Sequence, residues 1–219
     1  MNTFLHCPCQ QASYIQQVLS SDKRRVAFFL GAGCPVSIKS LDENILIPDV
    51  AGLTTKVCEQ LSKSEAHKEN FKRVIQRLAN SNISTPNIEE ILTLIRSLSE
   101  VAAGGAIDSL TFNTLNELDA EICKITTDIV RARLPNDKTP YHKLVTWIGG
   151  IRRSHAVEIF TTNYDLLMEQ ALEERRVPYF DGFVGSDCTF FDLSSIEQDE
   201  LPSRWARLWK VHGSISDFL

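Results

Sequence analysis

RRVAFFLGAGCPVSIKS, residues 24–40, is the stretch whose reading decides the fold. Two arginines lead into Val26, Ala27, Phe28, Phe29 and Leu30, a continuous apolar run. Such a run suits a strand covered on both faces, as in a parallel α/β sheet. It ends in Gly31-Ala32-Gly33, where an ordinary turn needs at most one glycine. Two glycines let the backbone come close to a guest, and a pyrophosphate is the usual one. The stretch lacks the third glycine of the dinucleotide fingerprint and the Lys-Ser/Thr of a phosphate-binding P-loop, so alone it identifies no nucleotide loop.

The totals bound the rest. A chain of 219 residues, 43% hydrophobic and 23% charged, has the composition of a globular protein with a real core. Its formal charge of −5 argues against a large phosphate-backbone footprint, so nucleic acid is not an expected partner. The apolar runs are too short to span a bilayer, and no membrane partner is expected. The first nine residues carry no basic stretch followed by an apolar one, and cytoplasm is the expected compartment. Of the six cysteines (Cys7, Cys9, Cys34, Cys58, Cys123 and Cys188), only Cys7 and Cys9 lie close in sequence. No second pair completes a four-thiolate zinc site, so scattered reduced thiols and no metal are expected.

Periodicity sets the organisation. Residues 12–21 read as a short helix before the first strand. Beyond the glycines the chain turns helical for about a hundred residues by its apolar spacing. The apolar faces are Leu53, Val57 and Leu61; Phe71, Val74, Ile75 and Leu78; Ile88, Ile91, Leu92, Ile95 and Leu98; and Leu115, Leu118, Ile122, Ile125 and Ile129. Pro86-Asn87 opens the third of these helices, with Glu89 and Glu90 meeting the positive end of its dipole. Gly104-Gly105 is a break. A helix follows Pro140 and ends near Gly149-Gly150. Strand character returns at residues 157–161, helix at 166–174, and a further strand near 208–211. The sum is an α/β, Rossmann-like parallel sheet flanked by helices, with a large helical insertion after the first strand. Residues 26–52 and 135–219 form the expected core, and 53–134 the helical insertion subdomain.

Three stretches then fall just beyond strand C-termini, where such sheets bind ligands. They are Gly31-Ala32-Gly33, Thr161-Thr162-Asn163-Tyr164-Asp165 and His212-Gly213-Ser214. Each has an ordinary alternative: Asn163 and Asp165 can cap the helix that follows them, and a single histidine is more often structural than catalytic. Their recurrence at three strand ends is what favours a site.

These residues resemble the sirtuin, or silent-information-regulator, signature: Gly-Ala-Gly after the first strand, Thr161-x-Asn163-x-Asp165 after a later one, and Lys210-Val211-His212-Gly213. The wider wording is similar to the prokaryotic sirtuin-like branch of antiphage defence, at Ile88-Glu89-Glu90-Ile91-Leu92, residues 160–169 and residues 181–185. The resemblance spans residues 26–216. It implies a domain that binds NAD and breaks its nicotinamide–ribose bond. By the resemblance, Gly31, Ala32 and Gly33 give backbone contacts to the pyrophosphate, and Thr161 belongs to the same binding set. Asn163 holds the nicotinamide ribose and the attacking water, Asp165 orders that region, and His212 accepts a proton. Ile47-Pro48-Asp49 matches part of the family's Ile-Pro-Asp-Phe-Arg stretch, making Asp49 a candidate nicotinamide contact; Pro48 as an N-terminal helix proline is the alternative.

The departures shape the functional expectation. The four-cysteine zinc module of protein-deacylating sirtuins does not follow His212-Gly213, and the family's adenosine-binding strands would lie beyond Leu219. The chain is therefore expected to be the N-terminal or ordered part of a longer one. The expected function is an NAD+ glycohydrolase giving ADP-ribose and nicotinamide, a toxic effector acting by NAD+ depletion, with Asn163 and His212 catalytic. The alternatives are a non-catalytic NAD- or ADP-ribose-binding or scaffold module and, behind it, an NAD-dependent protein deacylase. By resemblance, a homo-oligomer and a partner ATPase or sensor protein are expected.

Overall fold

The computed structural model describes residues 7–40, 43–81, 83, 85–136, 138–197, 201–202 and 204–218. In chain order the elements begin with helix α1 (Pro8–Ser20), strand β1 (Ala27–Leu30) and a one-turn helix α2 (Gly33–Val36). Helices α3 (Val50–Lys63), α4 (Lys68–Asn80) and α5 (Ile88–Val101) follow. After a 3₁₀ turn at Ala102–Gly104 come strands β2 (Ala106–Ile107) and β3 (Leu110–Thr111), then helices α6 (Phe112–Val130) and α7 (Pro140–Gly150). The remainder is β4 (Val157–Thr161), α8 (Leu167–Glu174), β5 (Tyr179–Phe180), β6 (Phe183–Val184), β7 (Phe190–Phe191), α9 (Leu193–Glu197) and β8 (Ala206–Lys210), closed by a 3₁₀ turn at Ile215–Phe218. These elements fall into two compact units, Met1–Gly31 with Arg133–Leu219, and Ala32–Ala132.

The first unit is built on a four-stranded sheet in the order β1-β4-β8-β5, parallel throughout. The three strands read from the sequence, β1, β4 and β8, lie side by side in it. The two-residue β5 joins as a fourth, too short to show a period in the sequence. One expectation is corrected: the apolar run of β1 is not covered on both faces. Among the described residues β1 pairs with β4 alone, at the edge of the sheet, and Phe29 on one of its faces is 70% exposed. The interior strands are β4, where Val157, Ile159 and Thr161 are buried, and β8, where Ala206, Arg207 and Leu208 are.

Register explains the division of faces. Phe29, Phe160 and Trp209 lie opposite one another across three strands, and the Phe160 and Trp209 rings stack with centroids 6.4 Å apart. On the same face Glu158 accepts hydrogen bonds from Arg207 Nη1 (3.0 Å) and Trp209 Nε1 (2.6 Å) through its two oxygens. Side chains alternate between faces, so Phe28, Ile159 and Leu208 point the other way. There the edge of Phe28 meets Trp147 of α7 at 5.6 Å, and Ile159 and Leu208 are fully buried. Arg153 lies over Trp147 at 4.5 Å and donates to the carbonyls of Leu19 and Ser21, satisfying acceptors at the end of α1. Gly182, at φ +95°, opens the small β6–β7 hairpin, in which Phe183 and Phe191 meet edge to face at 5.4 Å.

The second unit holds α3 to α6, with α5 packed along α6. Leu53, Val57, Leu61, Phe71, Val74, Leu78, Ile88, Ile91, Ile95, Leu98, Leu115, Leu118, Ile122 and Ile125 are buried, as their helical spacing requires. Ile75, Leu92 and Ile129 flank these stripes and are half-buried. Asn87 closes a capping box: its Oδ1 accepts from the amides of Glu89 (2.9 Å) and Glu90 (3.0 Å), and Glu90 Oε2 accepts from the Asn87 amide (2.8 Å).

The all-helical reading of residues 53–134 needs correction at one point. Past the Gly104-Gly105 break, β2 and β3 pair antiparallel across Asp108 (φ 51°) and Ser109 (φ 64°). Two successive left-handed residues make the tight hairpin turn that a right-twisted ladder favours, and neither is the glycine that would have announced it. Leu110 is buried, and Asp108 pairs with Arg77. Pro48 is also corrected: α3 starts at Val50 behind the cap Asp49, so the proline precedes the cap and is not the first helical residue.

Asn87→Ala removes both acceptor bonds of the capping box. It is expected to cost about 1 kcal/mol of stability, read as a lower urea midpoint by circular dichroism with the denaturant slope unchanged.

Candidate functional site

One rung of the sheet positions every candidate residue in the first unit. Thr161, the last residue of β4, is level with Leu30 on one side and Lys210 on the other. The rung is extended by the Thr162 amide donating to the Leu30 carbonyl (3.4 Å) and the Val211 amide to the Thr161 carbonyl (3.0 Å). Gly31 therefore lies one residue past the rung, and Asn163 and His212 two past it. Neighbouring strands run about 4.8 Å apart, so three chain exits share a width of about 10 Å.

Asn163 is buried and joins two of those exits. Its amide N–H donates to Thr161 Oγ1 (3.0 Å), and its Nδ2 donates to the Gly31 carbonyl (3.1 Å). The capping alternative fails for Asn163. It holds in altered form for Asp165, whose Oδ1 accepts from the Leu167 amide (3.0 Å) although the cap position belongs to Leu166. Asp165 is 5% exposed. Burial pushes its carboxyl above the ordinary 3.8, against the pull of the Leu167 amide and the Lys210 ammonium.

The third exit is a tight turn. The Gly213 amide donates back to the Lys210 carbonyl (3.2 Å), and Gly213 takes φ +93°, a conformation that a side chain would strain. This turn presents His212 as an exposed residue. The loop beyond is tied to the Asn163 loop by the Ile215 amide, which donates to the Tyr164 carbonyl at 3.1 Å.

Two functional groups had no assigned role in the sequence reading. Lys210 is nearly buried, and its Nζ donates both to the Asp165 carbonyl and to Glu169 Oε1, the latter at 3.0 Å. The second oxygen of Glu169 is buried without a partner among the described residues, and burial pushes this carboxyl up, opposed by Lys210. The available signal was strand period: Ala206, Leu208 and Lys210 share a face, and a lysine on a buried face needs a counter-charge.

The remaining candidates divide at the glycines. Gly31 belongs to the first unit, while Ala32, Gly33 and Asp49 belong to the second. Neither Gly31 nor Gly33 has a left-handed φ, and a Cβ built on either would meet nothing within 4 Å. Backbone strain therefore does not demand these glycines; what they leave is open space beside the main chain, the room that a close-lying phosphate requires. Asp49 has a local task, accepting from the Gly52 amide at 2.8 Å to cap α3. No helix among the described residues is long and apolar enough to cross a membrane, and no group of three metal-ligating side chains occurs among them.

The family model of the SIR2-like domain matches residues 157–218, the segment from β4 through the His212 turn. Among curated proteins, none matches the chain. SIR2-like domains bind NAD and are commonly NAD-utilising enzymes.

A buried carboxyl whose pKa is raised by folding binds its proton more tightly in the native state than in the unfolded chain. Its contribution to stability falls as pH rises from the ordinary 3.8 through the raised value. Asp165→Asn keeps an oxygen for the Leu167 amide and removes that proton. The variant is expected to lose less stability than wild type between acidic and neutral pH, measured by urea midpoints across that range.

Proposed function

We propose that this chain hydrolyses NAD+ at the nicotinamide–ribose bond, releasing nicotinamide and ADP-ribose. The single observation that carries the reading is the placement of Gly31, Asn163 and His212 within two residues of one three-strand rung. The SIR2-like match, which includes Asn163 and His212, supports it.

The residue types suit the chemistry. When the bond breaks, nicotinamide leaves with the electron pair as a neutral molecule and positive charge develops on the ribose. Fixed polar groups aimed at that charge stabilise the transition state. Asn163, held rigid by Thr161 and Gly31, orients the ribose and the water through its remaining acceptor oxygen. Water bonds to the ribose carbon, and His212 accepts the water's proton through a ring nitrogen. Gly31 lets the pyrophosphate lie against the backbone, and Asp165 fixes the turn into α8 without touching the reacting atoms. In this proposal Ala32 and Gly33 continue the phosphate-binding backbone, and no metal takes part.

The wording at residues 160–169 and 181–185 supports a toxic NAD+-depleting effector of antiphage defence, working as a homo-oligomer or beside a partner ATPase or sensor. One observation favours a second reading, a module that binds NAD or ADP-ribose without turnover: the Asn163 amide group is already engaged by Gly31.

Nicotinamide release by the full-length protein in its active assembly separates the two. Asn163→Ala and His212→Ala are each expected to slow release by about 10²–10⁴-fold while leaving the circular dichroism spectrum unchanged. Turnover at the wild-type rate in both variants would reject the hydrolase, and binding without release by the wild type would favour the module. A chelator is expected to leave the rate unchanged.

A further inference from the structure

Lys210 closes β8 on the face where Ala206 and Leu208 are fully buried, two residues before His212. From there it reaches across to the other loop and donates to the main-chain carbonyl of Asp165, two residues after Asn163. Its charge is balanced by Glu169, in the first turn of α8. Two main-chain bonds, Val211 to Thr161 and Ile215 to Tyr164, join the same pair of loops.

Stability alone is a poor reason for this arrangement. A buried ion pair is commonly no better than well-packed apolar residues of similar volume, because both charges have lost their water. Here the cost is sharper, since Glu169 leaves one buried oxygen without a partner among the described residues. An apolar pair would fill the space, but it could not donate to the Asp165 carbonyl. That bond is what the charge pair adds.

We propose that Lys210 and Glu169 are a positioning pair that sets the Asn163 loop against the His212 turn. Lys210 grips one loop by its backbone from the foot of the other, and Glu169 holds the ammonium in place. The role assigned to the two loops rests on the NAD+-hydrolysis reading; the mechanical coupling between them does not. Neither side chain is a catalytic residue.

The test uses the full chain and three variants: Lys210→Met with Glu169→Leu in one protein, Glu169→Gln, and Lys210→Arg. Amide hydrogen exchange is followed at Val211 and Ile215, with Ile159 at the centre of β4 as the reference. The double variant is expected to melt at or above the wild-type temperature, yet to exchange about tenfold faster at Ile215 and Val211, with Ile159 unchanged. Nicotinamide release is expected to fall about 10²-fold in kcat, since small misplacements of reacting groups are costly, with KM for NAD+ little changed. Lys210→Arg, which keeps the charge and the donors, is expected to retain most of both properties. Unchanged exchange at Val211 and Ile215 in the double variant would overturn the proposal, as would an equal rise at Ile159, which marks a general structural role. Should the double variant not fold, Glu169→Gln carries the same readings and the same two overturning results. A wild type that releases no nicotinamide defeats the hydrolase reading, while the exchange measurement still decides the coupling.

Discussion

Everything at the candidate site depends on the double pairing of β4. A strand hydrogen-bonded on both sides fixes two neighbours at once, and in a parallel sheet all three chains leave by the same end. Once Thr161 is level with Leu30 and Lys210, the positions of Gly31, Asn163 and His212 follow from counting residues along the backbone. A slip of one residue would turn Ile159 outward and Glu158 inward, and burial of Ile159 against Glu158's bonds to Arg207 and Trp209 forbids it. The loops beyond the rung add polar ties. Asn163 reaches Gly31, Lys210 reaches Asp165 and Glu169, and Ile215 reaches Tyr164.

The loops thus divide labour between stiffness and access. Asn163 and Asp165 are buried and held by neighbours, whereas His212 stands exposed on a turn that depends on Gly213. In the proposed hydrolysis His212 would accept a proton from water, which its exposure serves, and Asn163 would position the ribose, which a locked rotamer serves. Burial has made two carboxyls here reluctant to ionise, that of Asp165 before α8 and that of Glu169 in its first turn, and the Lys210 ammonium opposes the effect at both.

Much of this was legible in the sequence because the signals were local. The apolar stripes of α3 to α6 repeat over several turns, and Asn87 with Glu90 announces its helix by chemistry within four residues. β4 and β8 could be placed because each ends in polar residues of a recognisable kind. What escaped was either short or non-local. β5, β6 and β7 have two residues each, too few for any period, and the β2–β3 turn uses Asp108 and Ser109 where glycine is the usual marker. The burial of β1 was misread because an apolar run does not say whether both faces of a strand are covered, and Phe29 faces the uncovered one. Lys210 and Glu169 are far apart in the chain, so their partnership becomes visible only when the sheet and α8 are in place. Asp49 illustrates the converse: its match to a family stretch is real in wording, yet its carboxylate is occupied in capping α3.

The pairing of β1 with β4 also bears on how the chain comes together. Ala27 sits opposite Glu158, and the whole of Ala32–Ala132 lies in the connection between their strands. Closing so long a loop is entropically cheap to extend: lengthening an ordinary crossover to this size costs only roughly 1–2 kcal/mol, since the penalty grows with the logarithm of length. The penalty falls instead on speed, because loop closure must be met before contacts this distant in sequence reward it. The pairing of Leu30 with Thr161, on which the alignment of Gly31, Asn163 and His212 rests, is thus a long-range contact of the kind that slows folding more than it costs stability.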